Sequence, residues 1–289
     1  MKIGFCIPNF GRYANRENII ALSKAAEDLG FDSLWVSDHI VTPDTHHVFG
    51  ETFFEPLATL SCIASQTRNI KLGTSVIVLP YRNPLVLAKM MSSLDVLSGG
   101  RVILGVGTGW VKEEFDAIGA DYRKRGAITD EYLIILKELF SNDNPEYEGE
   151  YFKFSNILFE PKPVQKPYPP IWIGGNSKKA IERAVRFGNG WHAVRLTPEE
   201  VRESSEYIKR IVNDKFTISV RNNIQITDYG KNDERDLLRG SIDKIVEGIS
   251  LYTEAGADHL ILYILSGSVE GVYQSLEVLA KDIKRQLGN

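Results

Sequence analysis

The chain repeats one pattern from end to end, in which a short apolar, strand-like run is followed by a helix-like run. The strand-like runs are KIGFCIP, SLWVSD, NIKLGTSVIVL, RVILGVG, IWIGG, GWHAV, FTISVRNNIQIT and DHLILYIL. Nearly continuous apolar strands that alternate with helices indicate a parallel sheet buried on both faces. About eight such units in 289 residues predict a (β/α)8 TIM barrel. An open doubly wound sheet is the alternative, but it would need fewer units or a linker between two domains.

The helix-like runs carry start and stop signals that support this pattern. Apolar residues recur at helical spacing over residues 18–29 and stop at Gly30, and Thr197 with Pro198 marks the N-cap and first residue of another helix. Further helices are predicted over residues 56–65, 83–100, 127–140, 177–190, 241–255 and 272–287.

Two segments interrupt the repeat. The first is a long polar loop from His39 to Glu55, which contains His46 and His47. The second is a segment rich in proline and aromatic residues over about 141–170, whose alternation predicts a small inserted hairpin. We therefore predict a single barrel domain over residues 1–289 with inserted loops after strands two and four. Long loops in a compact domain are usually functional or mobile.

The composition excludes several classes of protein. A net charge of −4 gives no reason to expect a nucleic-acid partner or an acidic membrane surface. No apolar run is long enough to span a membrane, and the first residues lack the features of a signal peptide, so we expect a cytoplasmic protein. Cys6 and Cys62 are predicted to be free thiols, and no spacing of histidines or cysteines indicates a metal site.

The stretch RVILGVGTGWVKEEF, residues 101–115, superficially resembles a dinucleotide-binding turn. Its glycines, Gly105, Gly107 and Gly109, are spaced G-x-G-x-G, whereas that turn reads G-x-G-x-x-G and follows the first strand. The glycines instead end the fourth strand. They would allow the backbone to turn sharply and lie close to a flat ligand at the carboxyl end of the barrel, where barrel chemistry occurs.

Over roughly residues 1–285 the chain resembles the luciferase-like monooxygenase superfamily, and within it the subgroup of oxidoreductases that use the deazaflavin coenzyme F420. The matching pieces occur in the family's order. They are LGFDSLWVSDHIV, IKLGTSVIVLPYRNPLVLAKMMSSLDVLSGGRVILGVGTGWVKEEF, RGAITDE and PPIWIGGNSKKAIERA. The combination LAK…LDxLSGGRxxLGVGxGW is the most specific part of the match.

The resemblance implies positions for the cofactor. A non-proline cis peptide at Ser75–Val76 would push a bulge against the middle ring, and the backbone of Gly107, Thr108 and Gly109 would approach the ring and ribityl chain. The cofactor phosphate would bind at the start of the helix that follows strand five, because free N–H groups there attract anions. The residues concerned are Gly174, Gly175, Asn176 and Ser177, with Lys178 and Lys179 next to them.

The resemblance also implies catalytic and substrate residues. Asp38 and His39 would face the edge of the coenzyme ring. Near Trp110 the family's sugar-phosphate dehydrogenases carry a glutamate, and this departure argues against their substrate for this chain. Trp110 would instead form a wall of the pocket or pack in the core. Glu113 and Glu114 are predicted to cap and face the start of the following helix, where negative charge is favourable. Asn9, Trp191 and His192 are predicted to point to the carboxyl end of the barrel and are further candidates for substrate contact. Arg125 is expected either to contact the cofactor or substrate or to form a structural salt bridge.

The resulting expectation is an enzyme that transfers a hydride between coenzyme F420 and a small organic substrate. An FMN-dependent monooxygenase that uses reduced flavin and oxygen is the first alternative, since the two classes share the barrel and the phosphate site. A non-catalytic flavin-binding protein of the same fold is the second. The resemblance further implies a homodimer that pairs through helices near strands two and three.

Overall fold

The structure is a computed structural model that describes residues 1–43, 52–212, 215–227 and 237–287. Its strands, in chain order, are β1 (Lys2–Cys6), β2 (Ser33–Val36), β3 (Lys71–Thr74), β4 (Ile77–Val78), β5 (Val102–Gly107), β6 (Tyr147–Glu148), β7 (Lys153–Phe154), β8 (Ile171–Gly174), β9 (Gly190–Val194), β10 (Thr217–Ile226), β11 (Arg239–Gly240) and β12 (His259–Ile264).

The helices lie close to the predicted positions. They are α1 (Arg16–Asp28), α2 (Pro56–Gln66), α3 (Pro84–Ser98), α4 (Lys112–Ile118), α5 (Arg125–Ser141), α6 (Lys178–Phe187), α7 (Pro198–Lys209), α8 (Ile242–Glu254) and α9 (Val269–Leu287). Thr197 is the N-cap of α7, as predicted, and it forms a capping box with Glu200. Within the described ranges, no helix is both apolar enough and long enough to cross a membrane.

Eight of the strands close into a parallel barrel. Their order around the barrel is β1, β2, β3, β5, β8, β9, β10 and β12, and β12 pairs again with β1. The (β/α)8 prediction is confirmed. The open-sheet alternative is wrong, because β9 pairs with β10 as well as with β8 and the ring of hydrogen bonds has no break.

Both faces of the barrel strands are buried, as their continuous apolar runs require. Most of the core lies between the strands and the surrounding helices. A smaller cluster fills the interior of the barrel, where the rings of Trp35 and Trp172 stack with centroids 5.2 Å apart. The barrel interior is therefore packed with side chains, and ligands have access only at its ends.

The third predicted strand is divided in two. Gly73 on β3 pairs with Ile103 on β5, and Ile77 on β4 pairs with Val106 on β5. The β3–β4 segment thus advances four residues while β5 advances three. One extra residue is therefore accommodated between β3 and β4 as a bulge. The Ser75–Val76 peptide bond at this bulge is cis, as predicted.

The inserted segment after α5 contains the predicted hairpin. Strands β6 and β7 are antiparallel, and the buried carboxylate of Glu131 on α5 accepts hydrogen bonds from the backbone N–H groups of residues 150–152. The short helix α4 was not predicted as an element separate from the run that follows β5. His46 and His47 lie outside the described residues.

Gly105 on β5 is the most tightly packed glycine of the barrel wall. A Cβ at this position would lie 1.8 Å from the carbonyl oxygen of Thr74, a backbone atom that cannot move aside. We expect Gly105→Ala to lower the free energy of unfolding by about 3 kcal/mol or more. Gly267→Ala is the control, because a Cβ placed there would meet no described group within 4 Å, and it should change stability by less than about 0.5 kcal/mol. Urea unfolding measures both, and equal effects would contradict the packing.

Candidate active site

The carboxyl ends of the eight barrel strands meet at one rim, and most of the predicted site residues lie at or just below it. His39 follows β2, the bulge follows β3, Thr108 follows β5, and Gly175 follows β8. These residues come from separate parts of the sequence. The parallel closure of the barrel brings them around one mouth.

His39 is held by a buried carboxylate, that of Glu114. The His39 Nδ1 atom lies 2.8 Å from Glu114 Oε2, the Tyr81 hydroxyl donates to the same oxygen at 2.9 Å, and the Ile40 N–H donates to Oε1 at 2.5 Å. The side chain of His39 is 10% exposed and that of Glu114 is fully buried. The imidazole thus has one nitrogen fixed by the protein, which sets the direction of its other nitrogen.

The surroundings of Glu114 keep it ionised. Burial by itself would raise the pKa of Glu114, but hydrogen bonds from His39 and from the Ile40 N–H outweigh it, so the pKa lies below its ordinary value. Burial and the adjacent Glu114 carboxylate raise the pKa of Tyr81, so its hydroxyl stays a donor. The three side chains form a charged, hydrogen-bonded group at the mouth.

Glu114 lies in the first turn of α4, as predicted, but its carboxylate does not cap the helix. Helix α4 turns it inward, beside the buried Phe115, while Glu113 is exposed. The sequence does contain a signal for this: Val111, Glu114, Phe115 and Ile118 occupy positions i, i+3, i+4 and i+7, which is the apolar face of a helix. An acidic residue on such a face requires buried partners, and here they are His39 and Tyr81.

Asp38 forms an ion pair with Arg82. The guanidinium contacts its two carboxylate oxygens at 2.6 and 2.8 Å and also Glu55 at 3.0 Å, and the Val78 N–H donates to Asp38 at 2.9 Å. Burial raises the pKa of Asp38, and this effect exceeds the lowering by its bonds to Arg82 and to the Val78 N–H. The pKa of Arg82 is also raised, because its bonds to Asp38 outweigh the lowering by burial. The bidentate geometry is that of an ionised pair. Contact between Asp38 and a cofactor stays a prediction.

The bulge packs against two of the predicted cofactor glycines. A Cβ on Gly107 would lie 2.7 Å from a methyl carbon of Val76, and one on Gly174 would lie 2.8 Å from the other. Gly109 has φ +77°, and a Cβ there would lie 2.7 Å from both Phe115 and Val78. The packing of the protein therefore already requires glycine at these three positions.

The start of α6 presents unpaired backbone donors. Ser177 is the N-cap, and its side chain accepts a hydrogen bond from the Ala180 N–H at 3.2 Å. The N–H groups of residues 176–179 have no acceptor in the described part of the chain. Asn176 is fixed by two hydrogen bonds to the backbone of Val194, one donated and one accepted. Gly175 precedes this turn with φ +125°.

His192 and Trp191 lie below the mouth. His192 is fully buried inside the barrel, where Nε2 lies 2.9 Å from Ser75 Oγ and Nδ1 lies 3.0 Å from Ser219 Oγ. Burial, with the nearby charge of Arg221, lowers the pKa of His192 to about 3, so it is neutral. The expectation that both residues point to the rim is wrong: side chains alternate along β9, and Trp191 packs in the outer core.

Two other substrate candidates are engaged with the protein. Asn9 is fully buried and bonds to the backbone of Ser37 and Phe54. Arg125 donates to the carbonyl groups of Gly109 and Tyr122, and its guanidinium lies 3.9 Å from the centre of the Tyr122 ring. Both residues brace the loops of the mouth, and substrate contact by either of them stays a prediction.

Trp110 is exposed at the mouth. Its side chain is 59% accessible, so the core-packing alternative is wrong, and its ring lies edge-on to His39 with centroids 6.4 Å apart. On the opposite side, Phe10 stacks between Phe53 and Tyr263 at 5.1 and 5.6 Å. A cavity of about 160 Å³, lined in part by Phe10, Tyr263 and Cys6, opens beside this stack.

Comparison with known proteins gives consistent matches. The family model described as luciferase-like monooxygenase matches residues 1–218. An uncharacterised Mycobacterium tuberculosis protein is 32% identical over 205 residues, 66% of this chain and 70% of that protein. An F420-dependent glucose-6-phosphate dehydrogenase of Amycolatopsis mediterranei is 29% identical over 211 residues, covering 68% and 62% of the two chains. The fold matches the monooxygenase RslO1 of Streptomyces bottropensis with a TM-score of 0.87 at 20% identity, over 99% of this chain and 100% of that one.

The charge of Glu114 should contribute to stability in a pH-dependent way. Because its pKa lies below the ordinary 4.5, the contribution is fully present above that value and is lost as the pH falls through the folded pKa. Glu114→Gln should lower the free energy of unfolding at pH 7 by about 1.5–3 kcal/mol, and the loss should shrink at acid pH. Urea unfolding from pH 7 downward tests this.

The exposed neighbour on the same helix provides the control. Glu113→Gln should change stability by less than about 0.5 kcal/mol at every pH. A cost for Glu114→Gln that does not vary with pH, or an equal cost for the control, would contradict the charged state of Glu114.

Proposed function

The chain belongs to the luciferase-like monooxygenase family, and from this we propose that it is an oxidoreductase that transfers a hydride between coenzyme F420 and a small organic substrate. The similarity to a relative named as an F420-dependent dehydrogenase supports this choice of cofactor. We further propose that residues 1–289 form one domain, that the protein is a cytoplasmic homodimer, and that the substrate enters at the rim described above.

The residues of the mouth fit a flat cofactor that carries an anionic arm. Val76 stands on the bulge between Gly107 and Gly174, which gives an apolar surface without other side chains for a ring. The unpaired N–H groups of residues 176–179 at the start of α6 suit a phosphate. When bound, the deazaflavin would supply the carbon that accepts or donates the hydride.

The observation that carries the proposal is the contact between His39 and Glu114. Oxidation of an alcohol by hydride transfer also releases the hydroxyl proton, and the reverse reaction needs a proton donor. Glu114 fixes Nδ1 of His39 at 2.8 Å and stabilises the charge that the imidazole gains with a proton. The other nitrogen, Nε2, is then the atom that would take or give the substrate proton. Tyr81 and the Ile40 N–H hold Glu114 in place.

The experiments described below also test two alternative functions. An FMN-dependent monooxygenase would use the same apolar surface and phosphate site, and the fold match to RslO1 is compatible with it. A non-catalytic flavin-binding protein has no need of an open space beside the ring. The cavity of about 160 Å³ at the mouth and the His39–Glu114 contact favour an enzyme.

We expect coenzyme F420 to bind more tightly than FMN. Isothermal titration calorimetry of the full chain with each oxidised cofactor measures both dissociation constants under one set of conditions. Tighter binding of FMN, with no binding of F420, would reject the deazaflavin proposal and favour the monooxygenase.

We expect His39→Gln to slow hydride transfer about 100-fold or more, because an amide cannot exchange a proton in the way an imidazole can. Single-turnover kinetics with bound F420 measure the rate. The melting temperature should be nearly unchanged, since glutamine can still bond to Glu114. An unaltered rate would show that His39 takes no part in the reaction. A large drop in melting temperature would show that its role is structural.

A further inference from the structure

Arg221 on β10 is a positive charge inside the barrel mouth that has no carboxylate partner among the described residues. Its side chain is partly buried, and within the described ranges no Asp or Glu oxygen lies within 4.0 Å of it. Two other arginines of the mouth are compensated differently. Arg82 pairs with Asp38 and Glu55, and Arg125 donates to two carbonyl groups and covers the Tyr122 ring.

The oxygen contacts of Arg221 use only one of its three nitrogens. Nη1 lies 3.1 Å from Ser37 Oγ, 3.1 Å from the carbonyl oxygen of Ser75 and 3.3 Å from Ser75 Oγ. The Nε and Nη2 atoms donate to no oxygen or nitrogen of a described residue, and the guanidinium also forms a hydrogen bond with the buried Cys6 thiol. Because no buried side-chain nitrogen or oxygen of the described residues lacks a partner, a guanidinium nitrogen that does not bond to the Cys6 thiol must be accessible to solvent.

The charge of Arg221 acts on its neighbours. After burial, it is the largest influence that lowers the pKa of His192, and it opposes the effect of burial on the pKa of the Cys6 thiol. A partly desolvated guanidinium without a counterion is unfavourable, and an anion that approaches its open edge would relieve that cost. A planar guanidinium edge with two donors matches a carboxylate in geometry.

The position of Arg221 indicates which ligand supplies the anion. The proposed cofactor surface belongs to β3, β5 and β8, on one side of the mouth. Arg221 starts from β10 on the opposite side, next to β12, and its side chain reaches across the barrel, so that Nη1 contacts Ser75 at the bulge. The guanidinium also lies 5.5 Å from the centre of the Tyr263 ring. Tyr263 continues the stack with Phe10 and Phe53, and it lines the cavity of about 160 Å³.

We propose that Arg221 binds a carboxylate of the substrate, and that the substrate is a small organic acid whose planar, apolar body lies against Phe10 and Tyr263. This inference rests on the proposed function, because it assumes that the β3–β5–β8 side is taken by the cofactor. In this arrangement Nη1 keeps its hydrogen bond to the Ser75 carbonyl, and Nε and Nη2 donate hydrogen bonds to the ligand.

Benzoate and benzamide form a matched pair of probes, since they share the ring and differ in charge. Titration calorimetry of the full wild-type chain should show benzoate binding at least about tenfold more tightly than benzamide. Arg221→Gln should reduce this ratio to near one, mainly by weakening benzoate. Arg221→Lys keeps the charge but loses the planar pair of guanidinium donors, so it should retain part of the preference for benzoate. A thermal melt checks that each variant is folded.

Arg12 provides the control variant, because it lines the cavity beside Phe10 and Tyr263 while its guanidinium donates to the Ser266 carbonyl and covers the Tyr13 ring. Arg12→Gln should leave the benzoate preference within about twofold of wild type. If Arg12→Gln removes the preference and Arg221→Gln does not, the anion site lies elsewhere and the proposal is wrong. Absent or equal binding of the two probes to the wild type also overturns it.

Titration of the same variants with coenzyme F420 separates this inference from the proposed function. If Arg221→Gln weakens F420 binding tenfold or more while leaving the benzoate preference intact, Arg221 serves the cofactor and the substrate proposal fails. If the wild type prefers benzoate but binds no F420, the anion site stands and the cofactor assignment fails.

Discussion

The closure of eight parallel strands into a ring is the constraint on which the rest of this structure depends. Because every barrel strand runs in the same direction, residues that follow β2, β3, β5 and β8 must gather at one end, however far apart they are in the chain. Hydrogen bonds around the whole ring fix these ends relative to one another. The loops beyond them can then hold charged side chains at defined distances, as Glu114 holds His39.

The barrel interior supports the mouth in two layers. The lower layer is aromatic, with Trp35 stacked on Trp172 and the buried His259 bonded to Ser33. Above it, His192 and Arg221 reach across the barrel to Ser75 at the bulge. These bonds form in a medium of low dielectric constant, where a lost partner is costly, so the bulge is tied to strands on the far side of the barrel. These bonds from His192 and Arg221 therefore fix the bulge on which we place the cofactor.

The alternation of strands and helices was enough to predict the barrel, because hydrophobic periodicity and caps are local properties of the sequence. The cis bond at Ser75–Val76 came from resemblance to a family, since no local rule favours such a bond. Three features of the site could not be predicted in this way. The partners of Asp38 and Glu114 depend on contacts across 44 and 75 residues, and the inward direction of His192 depends on the phase of one short strand.

The fluorescence of the four tryptophans reports separately on the barrel and on its mouth. Trp35, Trp172 and Trp191 are buried, so their emission should be blue-shifted and sensitive only to loss of the barrel. Trp110 is 59% exposed and stands beside His39, so its emission should be red-shifted and accessible to collisional quenchers such as iodide. A ligand in the mouth would shield the second signal and leave the first unchanged. Occupancy and unfolding could thus be followed in the same cuvette without any added label.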